Sequence, residues 1–261
     1  MRKAILLSVK PKHLENILNG KKIIELRKTS PDCGYPIDVY LYCSKGKDKL
    51  FYNRNKGWFI SNELDCIFVD GEKKLPYNGK VVGVFELHNI DEYNCEFHEE
   101  PLFDKDTCYQ SIRLVDRDYD FPEEDELIEY IDLHASNEEG DNDEEVVKES
   151  KFLQQCCLTL TEIKQYAGKT ETMYGWHIEY IEVYINHPKG LNKFHKIGYE
   201  QSLIETQDYV DDEVGVSCYP GDEPSSQLQS WIDKQFEEVE KEYQITKAPQ
   251  SWQYVEVEDE E

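Results

Sequence analysis

The segment NGKKIIELRKTSP, residues 19–31, is the stretch from which the fold is inferred. In it, a glycine turn leads into a short strand that carries charges of both signs. Successive side chains of a strand point to opposite faces. The two aliphatic residues of IELR are therefore expected to enter the core, while Glu25 and Arg27 share the other face. Lys22 stands where the strand begins, and a bend of the backbone there can turn it to the same side. The alternative is an exposed ion network worth about 0–1 kcal/mol per pair.

Composition and charge suggest a folded chain with acidic additions. Of the 261 residues, 39 % are hydrophobic and 12 % aromatic, which is enough for a core in one large domain or two small ones. The net charge of -26, taken alone, argues against a nucleic-acid partner. The charge is uneven, with net values of +6 in 1–90, -19 in 91–150, +2 in 151–196 and -15 in 197–261. Acidic segments thus interrupt a mildly basic scaffold.

Targeting and cofactor signals are weak throughout the sequence. No secretory signal is visible and no apolar stretch approaches the roughly 18 residues that span a bilayer, so we expect a cytoplasmic protein. The eight cysteines form no C-x-x-C pair and are expected to be free thiols. Cys95, His98 and Cys108 could approach a metal together, but buried or idle thiols fit the spacing better. We therefore expect no metal and no organic cofactor.

Strand patterns outnumber helical ones, which predicts an α+β fold: a mixed, mostly antiparallel sheet curled toward a small barrel, with short helices at its ends. MYGWHIEYIEVYI is predicted as one long strand, and the segment after IDVYLYCS as a polar loop. Gly83 in KVVGVFEL is expected at a bulge or a close backbone approach. A capping box from Thr159 to Glu162 and a stop at Gly168 predict a helix. Further helices are predicted over PKHLENIL, PEEDELIEYIDLHA and SSQLQSWIDKQFEEVEKEY, and 136–145 is predicted to be disordered.

Four segments in this order resemble the ASCH domain family of phage and bacterial proteins. The family signature G-x-K-x-x-E-x-R appears as Gly20, Lys22, Glu25 and Arg27. KVVGVFEL resembles the following core strand, LTLTEIKQYAGKTETMYGWHIEYIEVYINHPKGLNKF the second half, and KAPQSWQYVE the closing segment. Three of the four matched segments fall in the basic blocks of the chain.

The resemblance implies a β-barrel similar to the PUA domain. It assigns 1–95 and 151–196 with 246–256 to that barrel, 96–150 to a partly disordered acidic insertion, and 197–245 to an acidic extension that contains an amphipathic helix. It also implies a cleft that holds RNA or a modified nucleoside.

The candidate site residues follow from this resemblance and from their chemistry. Lys22 and Glu25 are the candidate catalytic residues, since Lys22 can meet a phosphate or act as a base and Glu25 can polarise a water. Arg27 offers paired donors to a base edge. The remaining candidates for ligand contact are the aromatic residues that could stack on a base, together with one polar residue: Tyr174, Trp176, Trp252 and Ser251.

Three functions remain open from the sequence. The first is a module that binds RNA or a modified nucleoside. The second is an enzyme, either an N4-acetylcytidine amidohydrolase or a ribonuclease. The amidohydrolases of the family use a Lys, a Thr and a Glu, whereas here Glu25 stands in the Thr position and no carboxylate lies in 151–161. The third is a decoy or interaction protein whose acidic segments meet a basic protein partner.

Overall fold

The computed structural model describes residues 1–101, 108–116, 127–130, 151–170, 172–217 and 224–258. Its elements, numbered along the chain, are β1 (Arg2–Val9), α1 (Pro11–Leu18), β2 (Ile24–Arg27), β3 (Ile37–Cys43), β4 (Lys49–Asn53), β5 (Gly57–Ser61), β6 (Ile67–Val69), β7 (Glu72–Lys74), β8 (Val81–Leu87), β9 (Ile90–Pro101), β10 (Cys108–Asp116), β11 (Leu127–Tyr130), α2 (Lys151–Cys156), α3 (Leu160–Ala167), β12 (Thr172–His177), β13 (Glu179–Val183), a 3-10 turn (Leu191–Lys193), β14 (Phe194–His195), α4 (Tyr199–Ser217), α5 (Ser226–Tyr243) and β15 (Trp252–Val257). Strands dominate and most of the helices are short, so the predicted α+β class is confirmed.

Unit 1 comprises Met1–Leu14, Ile37–Phe85 and Ile181–Glu261. Its main sheet has the strand order β13-β8-β3-β1-β15-β14, with β1 parallel to β3 and antiparallel to β15. The central strand β1 is apolar on both faces and fully buried from its third residue onward, as expected for a strand covered on both sides. Two hairpins, β4-β5 and β6-β7, complete the strands of this unit.

Unit 2 comprises Glu15–Pro36 and Glu86–Tyr180. Its sheet has the order β11-β10-β9-β12-β2, and every pair in it is antiparallel. Helices α2 and α3 supply the other side of the core. The buried residues that form this core come from three strands and two helices: Ile24, Leu26, Tyr93, Phe152, Leu153, Cys156, Ile163, Ala167 and Met173.

The predicted barrel is not found. Within the described ranges both sheets are open, since β13 and β14 are the edges of one and β11 and β2 the edges of the other. Closure requires that the first and last strands pair with a fixed stagger, and the alternation of a single strand does not encode that pairing. The mixed sheet and the short helices could be predicted from the sequence. Whether the sheet closes into a barrel could not, and the prediction of a barrel was wrong.

The long strand predicted over MYGWHIEYIEVYI is divided. β12 ends at His177 and belongs to the sheet of unit 2, whereas β13 begins at Glu179 and joins the other sheet. Tyr180 adopts φ 48°, a left-handed conformation that regular strands avoid. The apolar alternation continues through this switch, which explains why the sequence predicted a single element.

Three other predictions differ from the structure. Leu127–Tyr130 is a strand paired with β10 where a helix was predicted, and the remainder of that helix and 136–145 lie outside the described residues. The polar segment after β3 contains β4, and the acidic extension holds α4 in addition to the predicted α5. Among the described residues no helix combines the length and the apolar character needed to cross a membrane.

Candidate functional site

Pairing between β2 and β12 places the predicted charged residues beside the predicted aromatic ones. In the antiparallel register Glu25 lies opposite Trp176, and Arg27 lies opposite Tyr174. Directly opposed residues of an antiparallel pair point to the same face. One face of this two-stranded segment therefore carries two charges from β2 and two rings from β12, while Ile24 and Leu26 enter the core on the other.

The three signature residues form a connected ion cluster, called here the charged cluster: Lys22, Glu25 and Arg27. Nζ of Lys22 lies 3.1 Å from Oε2 of Glu25, and an Nη of Arg27 lies 2.8 Å from Oε1. Only 2 % of Lys22, 6 % of Glu25 and 7 % of Arg27 are exposed. The alternative of an exposed ion network is therefore wrong, because these charges are inside the protein. Two cations against one carboxylate leave the cluster with a formal charge of +1.

Backbone from α2 completes the coordination of Lys22. Its ammonium donates a hydrogen bond of 2.7 Å to the carbonyl oxygen of Cys156, the last residue of α2. This is the region where the amidohydrolase pattern requires a glutamate, and the sequence supplies no carboxylate there. A carbonyl oxygen accepts a hydrogen bond but cannot act as a general acid or base at neutral pH. Within the described part of α2, the group beside Lys22 is therefore a backbone carbonyl and not the carboxylate of that pattern.

Tyr166 is a member of the site that the sequence analysis missed. It lies on α3, whose first turn is fixed by the capping box in which Thr159 and Glu162 bond reciprocally. Burial raises the pKa of the Tyr166 phenol; Arg27, which hydrogen-bonds to it, opposes the rise, and the nearby Glu25 carboxylate adds to it. The capping box predicted this helix, but nothing in the sequence showed that its Tyr166 meets a strand about 140 residues earlier.

The aromatic candidates of β12 differ in exposure. Trp176 is fully buried, so its ring presents no face to solvent, whereas Tyr174 is half-buried. His177 lies on the opposite face, with Nε2 2.6 Å from Oδ2 of Asp91, and is a hydrogen-bonded structural residue. Of the two β12 rings on this face, only Tyr174 has surface available for stacking, and Tyr166 of α3, beside Arg27, is a further ring that is 38 % exposed.

The last two candidates belong to unit 1. Ser251 accepts a backbone hydrogen bond of 2.8 Å from Ser8 through its carbonyl oxygen. Trp252 opens β15, is half-buried and meets Tyr254 edge to face at 5.5 Å. Both residues thus have a role in the main sheet of their own unit, and their ligand contact stays a prediction.

Comparison with known proteins gives a distant likeness to one family. No family model matches the chain, and no curated protein matches it. Among solved structures, the chain is similar to ASCH from Zymomonas mobilis, with 10 % identity, 88 % of this chain and 94 % of that chain covered, and a TM-score of 0.34. Two mutant proteins of the same ASCH give 10 % and 11 % identity, cover 89 % of this chain and 98 % and 96 % of their own, and have TM-scores of 0.36 and 0.34. These structures come from the family that the four sequence motifs indicate, and no residue role is transferred from them.

Proposed function

We propose that the chain is a PUA-like ASCH domain that binds RNA or a modified nucleoside at the charged cluster, with 1–95, 151–196 and 246–256 as its domain. The observation that supports this most is that the charged groups of Lys22 and Arg27 both lie within 3.1 Å of the Glu25 carboxylate, beside the half-buried ring of Tyr174.

The chemistry of the cluster suits a nucleobase edge. A guanidinium presents donors in a rigid fork, and a carboxylate accepts from an exocyclic amino group. The Lys22 ammonium adds a compact positive charge that can meet a carbonyl or a phosphate oxygen. Tyr174 on the same face supplies a ring, and stacking of a base on an aromatic side chain contributes about 1–3 kcal/mol.

Binding is proposed in preference to catalysis because the site lacks a general acid or base on α2. Glu25 already contacts two cations, and Lys22 donates to a carbonyl group. Incubation with N4-acetylcytidine and with labelled RNA, followed by chromatography, separates the alternatives. We expect both substrates to be returned unchanged, and release of cytidine or of RNA fragments by the pure protein would replace this proposal with an enzyme.

The decisive binding experiment compares Arg27→Ala with Lys169→Ala. Both remove one positive charge from unit 2, but Lys169 is exposed. Cytidine and N4-acetylcytidine are titrated by calorimetry, and a short labelled RNA by fluorescence anisotropy at low salt. We expect Arg27→Ala to weaken binding by about 1–3 kcal/mol and Lys169→Ala to leave nucleoside binding unchanged.

Two further variants distinguish weaker binding from loss of the folded structure. Arg27→Lys keeps the charge and removes the fork, and Tyr166→Phe removes only a hydroxyl; both are expected to fold and to bind nucleosides more weakly. Absence of nucleoside and RNA binding to the wild-type chain at low salt would refute the proposal, as would equal binding by wild type and all the cluster variants.

A further inference from the structure

A second candidate binding site lies in unit 1, and none of the site residues above takes part in it. The β6-β7 hairpin, the end of β4 and the segment 185–188 enclose a cleft of about 890 Å³, called here the hairpin cleft. That volume lies in the range of binding sites for organic ligands, and it is several times the space that one ordered water or ion needs.

The rim of the hairpin cleft carries an excess of positive charge. Arg54, Lys73 and Lys80 line it and are exposed, and within the described part of the chain none of them forms an ion pair. Lys74 also lines it, but its Nζ is 2.6 Å from Oε2 of Glu72. Besides Glu72, the only carboxylate among the described lining residues is Asp70. Three cations thus line the cleft without a direct ion pair among the described residues, and of these Lys73 is near enough to Asp65 to help Lys49 lower the pKa of that carboxyl.

The wall of the hairpin cleft is aromatic and held in place. Tyr52 and Tyr77 line the cleft, and both rings contact Trp58, at 5.1 and 4.8 Å between centroids. The hydroxyl of Tyr77 donates a 2.6 Å hydrogen bond to the carbonyl oxygen of Ile185. Leu75, which also lines the cleft and is 63 % exposed, adds apolar surface. Fixed rings lose little entropy when a flat ligand stacks on them.

We propose that the hairpin cleft binds a single-stranded segment of nucleic acid, with the phosphates on Arg54, Lys73 and Lys80 and bases against the aromatic wall. A groove with cations along its rim and rings in its wall is the arrangement that takes single strands without sequence preference. The cations stand on three separate segments of an open cleft, which fits a run of phosphates better than the single phosphate of a mononucleotide. This site does not depend on the nucleoside site proposed above.

The net charge of -26 does not prevent this binding at moderate salt. Charges farther away than a Debye length, about 8–10 Å at physiological ionic strength, are largely screened. Salt therefore weakens repulsion between a bound strand and acidic residues beyond that distance, while the cations that line the cleft still act on the strand directly.

The test uses a fluorescein-labelled uridine decamer and the full chain, with anisotropy measured over a series of salt concentrations. The triple variant R54A/K73A/K80A is compared with K10A/K47A/K247A, which removes three exposed lysines of unit 1 that do not line the cleft. We expect the first to bind at least tenfold more weakly than wild type. We also expect the slope of log K against log salt concentration to be smaller in magnitude by about two for this variant. Each phosphate contact on a single strand contributes about 0.7 to that slope, and the variant removes three such contacts. The control variant should stay within about threefold of wild type.

The aromatic wall is tested by Tyr52→Leu, which keeps an apolar side chain against Trp58. We expect at least a fivefold loss of decamer binding with the salt slope unchanged, and we expect a decamer of inorganic phosphate to compete poorly. Equal competition by polyphosphate together with unaltered binding by Tyr52→Leu would show a plain polyanion site and overturn the proposal. Equal losses in the two triple variants would also overturn it.

The two sites can fail separately. Free nucleosides carry no phosphate, so their binding reports on the charged cluster and should be unchanged in R54A/K73A/K80A. Conversely, the difference between the two triple variants should persist when each is combined with Arg27→Lys. Loss of that difference in the combined variants would contradict an independent cleft.

Discussion

Glu25 is the residue on which the charged cluster depends. Its two carboxylate oxygens are shared between Lys22 and Arg27, and all three side chains are almost completely buried. Transfer of two cations from water into a protein interior costs several kcal/mol for each, and the carboxylate offsets much of that cost. Its removal leaves two like charges close together in a medium that screens them poorly.

We therefore expect Glu25→Gln to destabilise the folded protein by about 3–5 kcal/mol, the range found when one partner of a buried ion pair is removed. Urea unfolding followed by circular dichroism measures the loss. Glu179→Gln is the matched control, because it makes the same chemical change at an exposed position of unit 2 and should stay within about 0.5 kcal/mol of wild type. A Glu25→Gln protein as stable as this control would mean that the cations do not need the carboxylate in the fold.

At the scale of single elements, local signals in the sequence predicted well. The strand IELR, the capping box of α3 and the helix from Ser226 to Tyr243 were all predictable, because turn residues, caps and periodicity act within a few positions. The joint between β12 and β13 was not, since the two halves have the same period and differ only in the sheet that each joins. The same limit applies to Tyr166 and Cys156, which reach the charged cluster through pairing of distant segments.

Gly83 in β8 is an element-scale feature that the sequence did predict, as a bulge or a close backbone approach. A Cβ at this position would lie 2.6 Å from the carbonyl oxygen of Glu182, which belongs to the neighbouring strand β13. Because the obstacle is backbone, it cannot rotate away as a side chain would. We expect Gly83→Ala to cost about 1–3 kcal/mol in thermal or urea unfolding, in the range of overpacked cores.

Gly46 provides the matched control for this prediction. It has open space around the position of a Cβ and no positive φ. Gly46→Ala should therefore be neutral or stabilise by up to about 1 kcal/mol, because alanine restricts the unfolded chain. If both variants unfold alike, the close approach between β8 and β13 does not constrain the strands.

At the scale of the whole molecule, the cysteines whose side chains the structure describes include one fully buried thiol in each of the two units, and burial keeps both of these thiols protonated at neutral pH. Cys43 of unit 1 and Cys156 of unit 2 are both fully buried. Burial raises the pKa of Cys43 to about 12, and it raises the pKa of Cys156 to about 12 although the Lys22 ammonium opposes the change. The thiolate is the reactive form. Alkylation by iodoacetamide at pH 8 is therefore expected at the three half-exposed described cysteines, Cys33, Cys66 and Cys157, before Cys43 and Cys156.

The same two thiols give the chain a defined response to alkaline pH. An unfolded cysteine has a pKa near 9, so above that pH the unfolded state releases a proton that the folded state keeps. A raised folded pKa contributes stability that is fully present below about pH 9 and is lost as pH rises toward about 12. We expect the free energy of unfolding to be flat between pH 7 and 8.5 and to fall from pH 9 to 11.

The double variant C43A/C156A should be less stable at neutral pH, because it leaves cavities, but should lose less stability across the alkaline range. Buried tyrosines such as Tyr40, whose pKa is also raised by burial, keep a residual decline in that variant. If the wild-type and double-variant curves run parallel from pH 8 to 11, the two thiols do not contribute to the alkaline transition.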